Sequence, residues 1–525
     1  MDIAFHKLGF TPDADPTIPG FSLQAKAGVV PLVDMDNWYP TQRGLRTLPG
    51  LAAVSNALPS PAVGAFLATS SGGAQTVYAG TSTHLWKLLS GGIWAICDNG
   101  SLVVTTGRWR FAQFLDDVIA IDSAQLNPPQ VSQSGGIFQP LGGNPPNPVC
   151  MCTVDVGGIG IFAIFFNFNN VGDQYGTSGI GNDTDWNFNI QTLGSTQRES
   201  AVPGPFIGAA SLHQLAFGFK VNGVAVGVFQ GGSFPWNFTW ISQARGEGCQ
   251  SQEAIVSTGD ILAWVGNDNF YYSDGSGVYP IPNLVRDWFF KTLNLNYASS
   301  IIGEYDTQNA VVYWHFSSIN ANPAGTIDTW VSYNPLSGRW AKGLEPFPGG
   351  ITATLGVLPN SFDLTWGEFG NLYLEPSYAS PPAGLQWGSP SFSGSPVDFR
   401  GIIAPNGVLY AYALPTNKRS PILTGDNGYL ARKTQVNRLM PKFSLFPTAP
   451  PMMSPAKLNT YIKTHLGSQK SPNQNGKLFK QGVNIGPQGW FDFIETDRWH
   501  RFEIEVATDS EILGYTLEVT DGGER

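Results

Sequence analysis

The sequence predicts an all-β fold: a β-propeller-like body of antiparallel blades with inserted loop or platform regions and one short helix. Three features of the composition lead to this prediction. The 525 residues include 62 Gly and 39 Pro, which interrupt helices. The 16 Trp, 17 Tyr and 33 Phe are typical of strands. With 42% hydrophobic and only 13% charged residues, the chain can bury enough apolar surface to fold.

The strand pattern is clearest from Val63 onward. Four apolar runs, separated by Gly- and Ser-rich turns, occupy 63–68, 75–80, 84–89 and 92–98. This spacing is typical of one four-stranded propeller blade. A β-sandwich is the alternative, but radial repetition accounts better for the number of such units.

Further hairpins follow with the same rhythm. Residues 109–122 predict a hairpin that turns at Asp116 and Asp117, and 213–229 one that turns at Asn222-Gly223. A Pro-rich connector spans 127–148. More strand pairs are predicted at 260–281, 310–343 and 361–376.

One segment, 280–293, predicts a helix. Its apolar residues recur at helical spacing and indicate a packing face: Ile281, Leu284, Val285, Trp288 and Phe289.

The chain divides into four predicted regions. Residues 1–50 form an N-terminal arm that leads into the first blade, and 51–380 form the propeller-like body, with room for an insertion at about 140–200. Residues 381–489 form a loop-rich extension, a tip or platform, and 490–525 return to strands that close the body. Positive charge concentrates in the extension, so 414–480 is expected to project towards a partner: Lys418, Arg419, Arg432, Lys433, Arg438 and Lys442.

Charge and cysteine content exclude several classes of protein. The net charge of −10 disfavours sequence-specific binding of DNA or RNA. Four scattered cysteines are too few for a disulfide scaffold, and the sequence predicts neither a secretory signal nor a membrane-spanning segment. We therefore expect folding in a reducing cytoplasm.

No catalytic motif appears in the sequence. It lacks a G-x-S-x-G elbow, an H-E-x-x-H helix, a Walker loop and a G-x-G-x-x-G turn. Cys150 and Cys152 have the wrong spacing for a zinc site, and the six histidines are dispersed. We expect no catalytic residue, cofactor or metal, and no enzyme.

Two loops deserve comparison with known ion and sugar motifs. Asp183, Asp185 and Asn187 begin like a calcium loop, but Phe188 stands where that loop needs glycine, which favours a polar turn. Residues 273–277, SDGSG, are similar to the Asp-box turn of sialidases. The segment lacks the residue spacing of that motif, so it is better interpreted as a hairpin turn.

A family resemblance begins at residues 37–51, NWYPTQRGLRTLPGL. This segment resembles the opening of the tail hub, or nozzle, proteins of short-tailed bacteriophages, which close the head and stabilise its DNA. The residues that carry the resemblance are Asn37, Gly44, Leu45, Arg46, Pro49 and Gly50. Further phrases similar to that family follow in its order: WRFAQFLDDVIAID, HQLAFGF, VYPIPNLVRDW, DTQNAVVYWHF, SYNPLSGRW and WHRFEIEVATDSEILGYTLEV.

The resemblance implies a structural protein of the virion tail, assembled in the bacterial host cytoplasm. Such proteins form a homohexameric ring below the adaptor, the head–tail connector ring. They build the lower tail channel, which a needle or plug closes and around which tailspikes or fibres attach. Double-stranded DNA is retained and then ejected through the ring without sequence-specific binding. An acidic protein suits that conduit because it offers little non-specific DNA affinity.

The alternative is a carbohydrate-binding or carbohydrate-degrading phage propeller or fibre. Aromatic side chains stack on sugars, and Trp186, Trp236 and Trp240 are the candidates, although packing between strands is the simpler role for each. For the tail-hub hypothesis, Arg46→Glu is expected to weaken folding or assembly.

Overall fold

The computed structural model of the chain describes residues 2–14, 27–100, 102–187, 189–201, 203–241, 247–358, 399–414, 420–424, 427–428, 434–445, 455–463, 477–497, 499–506 and 510–521. Strands dominate this part of the chain, which has one α-helix, α1 (Arg286–Thr292), and three 3-10 turns, at Gln133–Gly135, Gln252–Ala254 and Leu295–Ser300. The predicted all-β, propeller-like fold is confirmed.

Five strands precede the first blade: β1 Asp2–Phe10, β2 Ala27–Met35, β3 Trp38–Pro40, β4 Leu45–Thr47 and β5 Gly50–Ala53. The first blade contains β6 Ala65–Thr69, β7 Gln75–Gly80, β8 Leu85–Leu89 and β9 Ile93–Ile96. The second contains β10 Trp109–Phe114, β11 Asp117–Asp122, β12 Gln130–Ser132 and β13 Phe138–Pro140. The third contains β14 Cys150–Val156, β15 Gly160–Phe168, β16 Val171–Thr177 and β17 Ser195–Arg198.

The fourth blade contains β18 Phe206–Leu212, β19 Leu215–Lys220, β20 Gly223–Phe229 and β21 Trp236–Trp240. The fifth contains β22 Val256–Ser257, β23 Leu262–Val265, β24 Phe270–Ser273 and β25 Tyr279–Pro280. A four-stranded unit of the same form follows as the sixth, β26 Ile302–Asp306, β27 Val311–Phe316, β28 Thr329–Asn334 and β29 Arg339–Leu344. The last blade contains β30 Ala353–Leu358, β31 Phe399–Ile403 and β32 Leu409–Leu414, to which β5 adds the fourth strand.

These units form a ring. In the described residues, six are separate four-stranded sheets, whereas β29 of the sixth unit continues into a larger sheet through the pairing of Gly9 with Trp340. The first strands of successive units, β6, β10, β14, β18, β22, β26 and β30, contact one another in turn, and β30 returns to β6. The inner wall of the propeller therefore consists of these seven strands.

A second β body uses both ends of the chain. Its later strands are β33 Ser420–Thr424, β34 Asn427–Gly428, β35 Thr434–Leu445, β36 Ala456–Lys463, β37 Lys477–Asn484, β38 Phe491–Asp497, β39 Trp499–Val506 and β40 Glu511–Asp521. Strand β1 lies between β2 and β40, and β35 pairs with β40 along most of its length. Apolar residues alternate along β39, where Phe502, Ile504 and Val506 are buried and the residues between them are partly exposed.

One hydrophobic cluster joins the two bodies. It contains Trp264 and Trp314 of the propeller and Phe502 and Tyr515 of the second body, all of them buried. Strand β1 pairs with β2 and β40 of the second body and, through Gly9, with β29 of the propeller. Because the apolar core is also continuous, the propeller and the second body form one packed unit.

The structure differs from the expected division of the chain in the body and at its C-terminal end. Residues 150–198, expected to fall within an insertion, form the third blade, and the Pro-rich connector contributes β12 and β13 to the second. Strand β5, rather than 490–525, completes the last blade, because its backbone pairs with β32. The C-terminal strands belong to the second body.

The expected loop-rich extension consists mostly of strands in the residues that the structure describes. Strands β31 and β32 belong to the last blade, and β33 to β37 belong to the second body. Arg438 and Lys442 lie in β35, where Arg438 pairs with Glu518 of the neighbouring β40 and Lys442 with Asp2 of β1, the next strand beyond β40, so this part does not project. Lys418, Arg419, Arg432 and Lys433, like the strand pair expected at 361–376, lie outside the described residues.

The helix is shorter than predicted. It begins at Arg286 rather than Pro280, because the Asn283 side chain accepts the backbone N–H groups of Val285 and Arg286 and so makes a turn there. Asp13 then accepts the N–H groups of the first helical turn. Ile281, Val285 and Phe289 are buried, as predicted for the packing face, while Leu284 and Trp288 are half-buried.

Candidate functional site

A cluster of charged side chains lies at the centre of the propeller. Arg110 belongs to β10, the inner strand of the second blade, and Glu253 lies just before β22, the inner strand of the fifth. The Arg110 guanidinium donates from Nε to Glu253 Oε1 at 2.8 Å and from Nη2 to Oε2 at 3.2 Å. These two blades are not neighbours in the ring, so the ion pair crosses the central opening.

The same cluster contacts two further blades. Arg110 Nη1 donates to the carbonyl of Val149, just before β14, at 2.7 Å. Arg108 Nη2 donates to the carbonyl of Thr352, just before β30, at 2.8 Å. Each of these residues lies at or near the start of an inner strand, so the cluster spans the channel near the end at which the inner strands begin.

Glu253 is held as a carboxylate. Burial alone would raise its pKa, but Arg110 and Arg108 lower the pKa of Glu253 to about 2. Ser251 Oγ also donates to Glu253 Oε2, at 2.7 Å, and accepts the Glu253 backbone N–H. The carboxylate is therefore an ion-pair partner and not a proton donor near neutral pH.

The cysteines are structural. All four are free and buried: Cys97, Cys150, Cys152 and Cys249. Burial raises the pKa of Cys97, Cys150 and Cys249 to about 12 and raises that of Cys152 as well. A thiol needs a lowered pKa to act as a nucleophile at neutral pH, so none of these sites fits that chemistry.

A second cluster, the seam cluster, lies between the sixth unit and the last blade. It consists of Glu304, His315, Glu345 and Arg400. His315 donates from Nδ1 to Glu345 Oε1 at 2.5 Å and from Nε2 to Glu304 Oε1 at 3.1 Å. Burial alone would lower the pKa of His315, but the two carboxylates raise it above its usual value. With both ring nitrogens occupied as donors, His315 has no free lone pair for a general base or metal ligand.

Arg400 completes the seam cluster from β31. Its guanidinium lies between the rings of Tyr313 and Tyr412, with centroids 3.8 and 4.0 Å away, and Nε approaches Glu304 Oε1 within 2.5 Å. Cation–π contacts of this kind favour a desolvated guanidinium. The cluster therefore fastens the sixth unit to the blade that β5 closes.

The residues of the resemblance lie at the junction of the propeller and the second body. Asn37 has a positive φ of 66°, and its side chain donates to Ser420 Oγ at 3.0 Å. Leu45 is buried, and Arg46 lies opposite Glu511 of β40. A Cβ at Gly44 would meet the Ile512 carbonyl at 2.4 Å, so the close approach of β40 requires glycine there.

Pro49 and Gly50, the last two residues that carry the resemblance, lie where the ring of blades closes. Pro49 is exposed and directly precedes β5, and Gly50, its first residue, pairs with Leu414 of β32. The phrase thus leads into the strand that closes the last blade rather than into the first blade. The first blade begins after it, at β6.

The structure also places the other candidate residues. Asp183 is buried, and burial raises its pKa. No group of three or more His, Cys, Asp or Glu residues suited to a metal occurs among the described residues, and Phe188 lies outside them. Residues 274–278 form the expected turn between β24 and β25, in which Asp274 accepts the Ser276 N–H.

Only one of the three candidate sugar-stacking tryptophans is accessible. Trp186 is buried with its ring 4.1 Å from that of Phe165, and Trp236 is buried among aromatic rings. Trp240 is 36% exposed. Among the described residues, no helix is long and apolar enough to cross a membrane.

The sequence offered little that could identify either cluster. Arg110 and Glu253 are 143 residues apart, and His315 lies inside the apolar run 310–316, where nothing indicates two carboxylates. The one local signal is the pair of arginines around Trp109, which is unusual in a chain with so little charge.

Comparison with known proteins yields similarities of fold. No protein-family model and no curated protein matches the chain. Among solved structures, YCF48 bound to D1 peptide is 14% identical and matches over 73% of this chain and 97% of its own, with a TM-score of 0.33. YCF48 from Cyanidioschyzon merolae is 9% identical over 69% and 98%, with a TM-score of 0.35. The extracellular domain of the one component system BT4673 from B. thetaiotaomicron is 7% identical over 70% and 40%, with a TM-score of 0.38.

Proposed function

We propose that this chain is a structural protein of a virion tail, the nozzle or hub of a short-tailed phage. In this role it forms a homohexameric ring below the adaptor, retains packaged DNA and conducts it during ejection. The role is non-enzymatic and needs no cofactor. The ordered phrases that resemble tail hub proteins are its starting point.

The observation that supports the proposal best is the position of the resembling segment. Asn37, Gly44 and Arg46 contact strands of the second body. Arg339 of the sixth unit donates to the backbone carbonyls of Thr41 and Gln42, so the segment also contacts the propeller and links the two bodies. A channel wall needs such a rigid unit, because each copy must hold the same shape around the ring.

The charged and nucleophilic side chains are compatible with a structural role. The four thiols are buried, and His315 and Glu253 are committed to ion pairs. The Arg110–Glu253 pair crosses the propeller axis, so a duplex would pass between copies of the chain rather than through one propeller. The net charge of −10 limits non-specific attachment of DNA to the wall.

The test is assembly on particles. Purified protein is mixed with phage heads that carry the adaptor, and the particles are imaged by cryo-electron microscopy. We expect a sixfold ring of this protein at the tail position, and its absence there would refute the proposal. Size measurement of the protein alone is a poor substitute, because a ring component can stay monomeric until the adaptor is present.

The alternative, carbohydrate binding, rests on accessible aromatic rings such as those of Trp240 and Tyr279. Tyr279 pairs with Tyr272 at a centroid distance of 5.5 Å, which leaves an exposed aromatic surface. Binding on a glycan array that is lost in both Trp240→Ala and Tyr279→Ala would favour this alternative over the tail hub.

A further inference from the structure

The axial cluster contains more positive than negative charge. Arg110 and Arg108 both form ion pairs with the single carboxylate of Glu253, but Arg110 lies closer to it than Arg108. Arg110 makes two hydrogen bonds to it, whereas Arg108 Nε is 3.9 Å from Glu253 Oε1. Among the described residues, no other carboxylate forms an ion pair with either arginine.

Not every N–H group of the Arg108 guanidinium has a hydrogen-bond partner. Its Nη2 donates to the Thr352 carbonyl, while its buried Nε has no hydrogen-bond partner. A guanidinium with a poorly compensated charge is costly in a partly desolvated site. The position therefore favours the binding of a further negative group.

The site is partly accessible to solvent and has a defined chemistry. The Arg108 side chain is 21% exposed, at the end of the channel where the inner strands begin. Guanidinium groups bind the oxygens of carboxylate and phosphate through paired N–H donors. Neutral sugars and cations would gain nothing from this surplus of positive charge.

We propose that Arg108, supported by Arg110, binds one oxyanion group at the mouth of the propeller axis. The ligand carries a carboxylate or a phosphate, either as a free anion or as an acidic side chain of a partner. Glu253 competes with it for the two arginines. This site does not depend on the tail-hub proposal, because it follows from the charge of the axial cluster alone.

The test is a titration of the full-length protein by calorimetry and thermal melting. The probes are inorganic phosphate and a short peptide rich in aspartate, with sodium chloride at matched ionic strength as the control. We expect saturable binding of one equivalent of at least one probe, together with a rise in melting temperature that chloride does not produce. Phosphate binding alone indicates a free anion, and tighter binding of the peptide indicates a partner side chain.

Three variants make the test specific. Arg108→Gln should weaken binding at least tenfold, and Arg108→Lys should weaken it less, because the charge remains without the paired donors. The control Arg198→Gln removes an exposed arginine paired with Asp173 and should bind like the wild type. Glu253→Gln removes the competing carboxylate and should bind more tightly, a direction that loss of folding cannot imitate.

Two results would overturn the proposal. One is the absence of saturable binding of both probes to the wild type. The other is equal affinity in the wild type and a folded Arg108→Gln variant.

Discussion

Arg110 and Glu253 form a two-point ion pair across the centre of the propeller, joining the second blade to the segment that precedes the fifth. Neighbouring blades in a ring contact each other through apolar faces, so removal of one such contact weakens one interface. A contact across the axis restrains blades that share no interface. The axial cluster therefore limits expansion of the ring.

We expect Arg110→Met to destabilise the protein by about 3–5 kcal/mol, because it leaves the Glu253 carboxylate buried without its main partner. Urea unfolding followed by tryptophan fluorescence measures the change. Arg198→Met is the matched control, since solvent screens the exposed pair of Arg198 and Asp173 and its loss should leave the midpoint nearly unchanged. Equal midpoints for the two variants would contradict a stabilising role for the axial pair.

The seam cluster predicts a pH dependence of stability. The folded-state pKa of His315 is raised above 6.5, because Glu345 and Glu304 outweigh the effect of burial. The stabilisation from protonated His315 is therefore complete below pH 6.5 and is lost as the pH rises through the folded-state pKa. Arg400 faces the same carboxylates and keeps its charge over this range.

Melting temperatures between pH 5.5 and 9 test this prediction. The wild type should lose stability at the alkaline end, and His315→Gln should show a smaller loss over the same interval. His213→Gln, which alters an exposed turn between β18 and β19, should follow the wild-type profile. A His315→Gln profile parallel to that of the wild type would remove the assignment to His315.

Gly44→Ala tests the junction between the propeller and the second body. The added methyl group would lie 2.4 Å from the Ile512 carbonyl oxygen and 2.7 Å from Leu513 Cδ2, so β40 must shift. We expect a loss of about 1–3 kcal/mol, measured by urea unfolding. Gly100→Ala is the control, because a Cβ there meets nothing within 4 Å. Similar midpoints for the two alanine variants would show that β40 accommodates the methyl group.

Local turn chemistry made much of the propeller predictable. The four runs from Val63 correspond to β6 to β9. The hairpin predicted at Asn222-Gly223 joins β19 to β20, but its turn lies one residue earlier, at Val221-Asn222, because Gly223 already pairs with Lys220. The hairpin expected around Asp116 and Asp117 is present, although the turn lies one residue earlier and Asp117 already pairs with Phe114. These features depend on residues close in sequence, where Gly, Asn and Asp determine the backbone path.

Long-range pairing explains what the sequence did not reveal. Asp2 pairs with Thr516, and Gly50 pairs with Leu414, so the second body and the closure of the last blade depend on contacts between distant segments. Strand patterns specify which residues face a core, but they do not specify which strand lies alongside. The pattern of 490–525 therefore predicts its strands correctly, but the prediction that they close the propeller body is wrong, because they belong to the second body.

Arg46→Glu tests the segment that carries the family resemblance. Arg46 of β4 lies directly opposite Glu511 of β40, and Thr41 donates to the same carboxylate at 2.5 Å. The substitution places two carboxylates across from each other and should cost about 0.5–1 kcal/mol, with a larger effect on ring assembly if the junction shifts. Thermal melting and the yield of particles carrying the ring measure the two effects.

Arg43→Glu, at an exposed turn position nearby, is the control for the change in net charge. The double variant Arg46→Glu with Glu511→Lys restores opposite charges and should recover stability. Wild-type melting together with wild-type particle yield in Arg46→Glu would show that this pair contributes neither to folding nor to assembly.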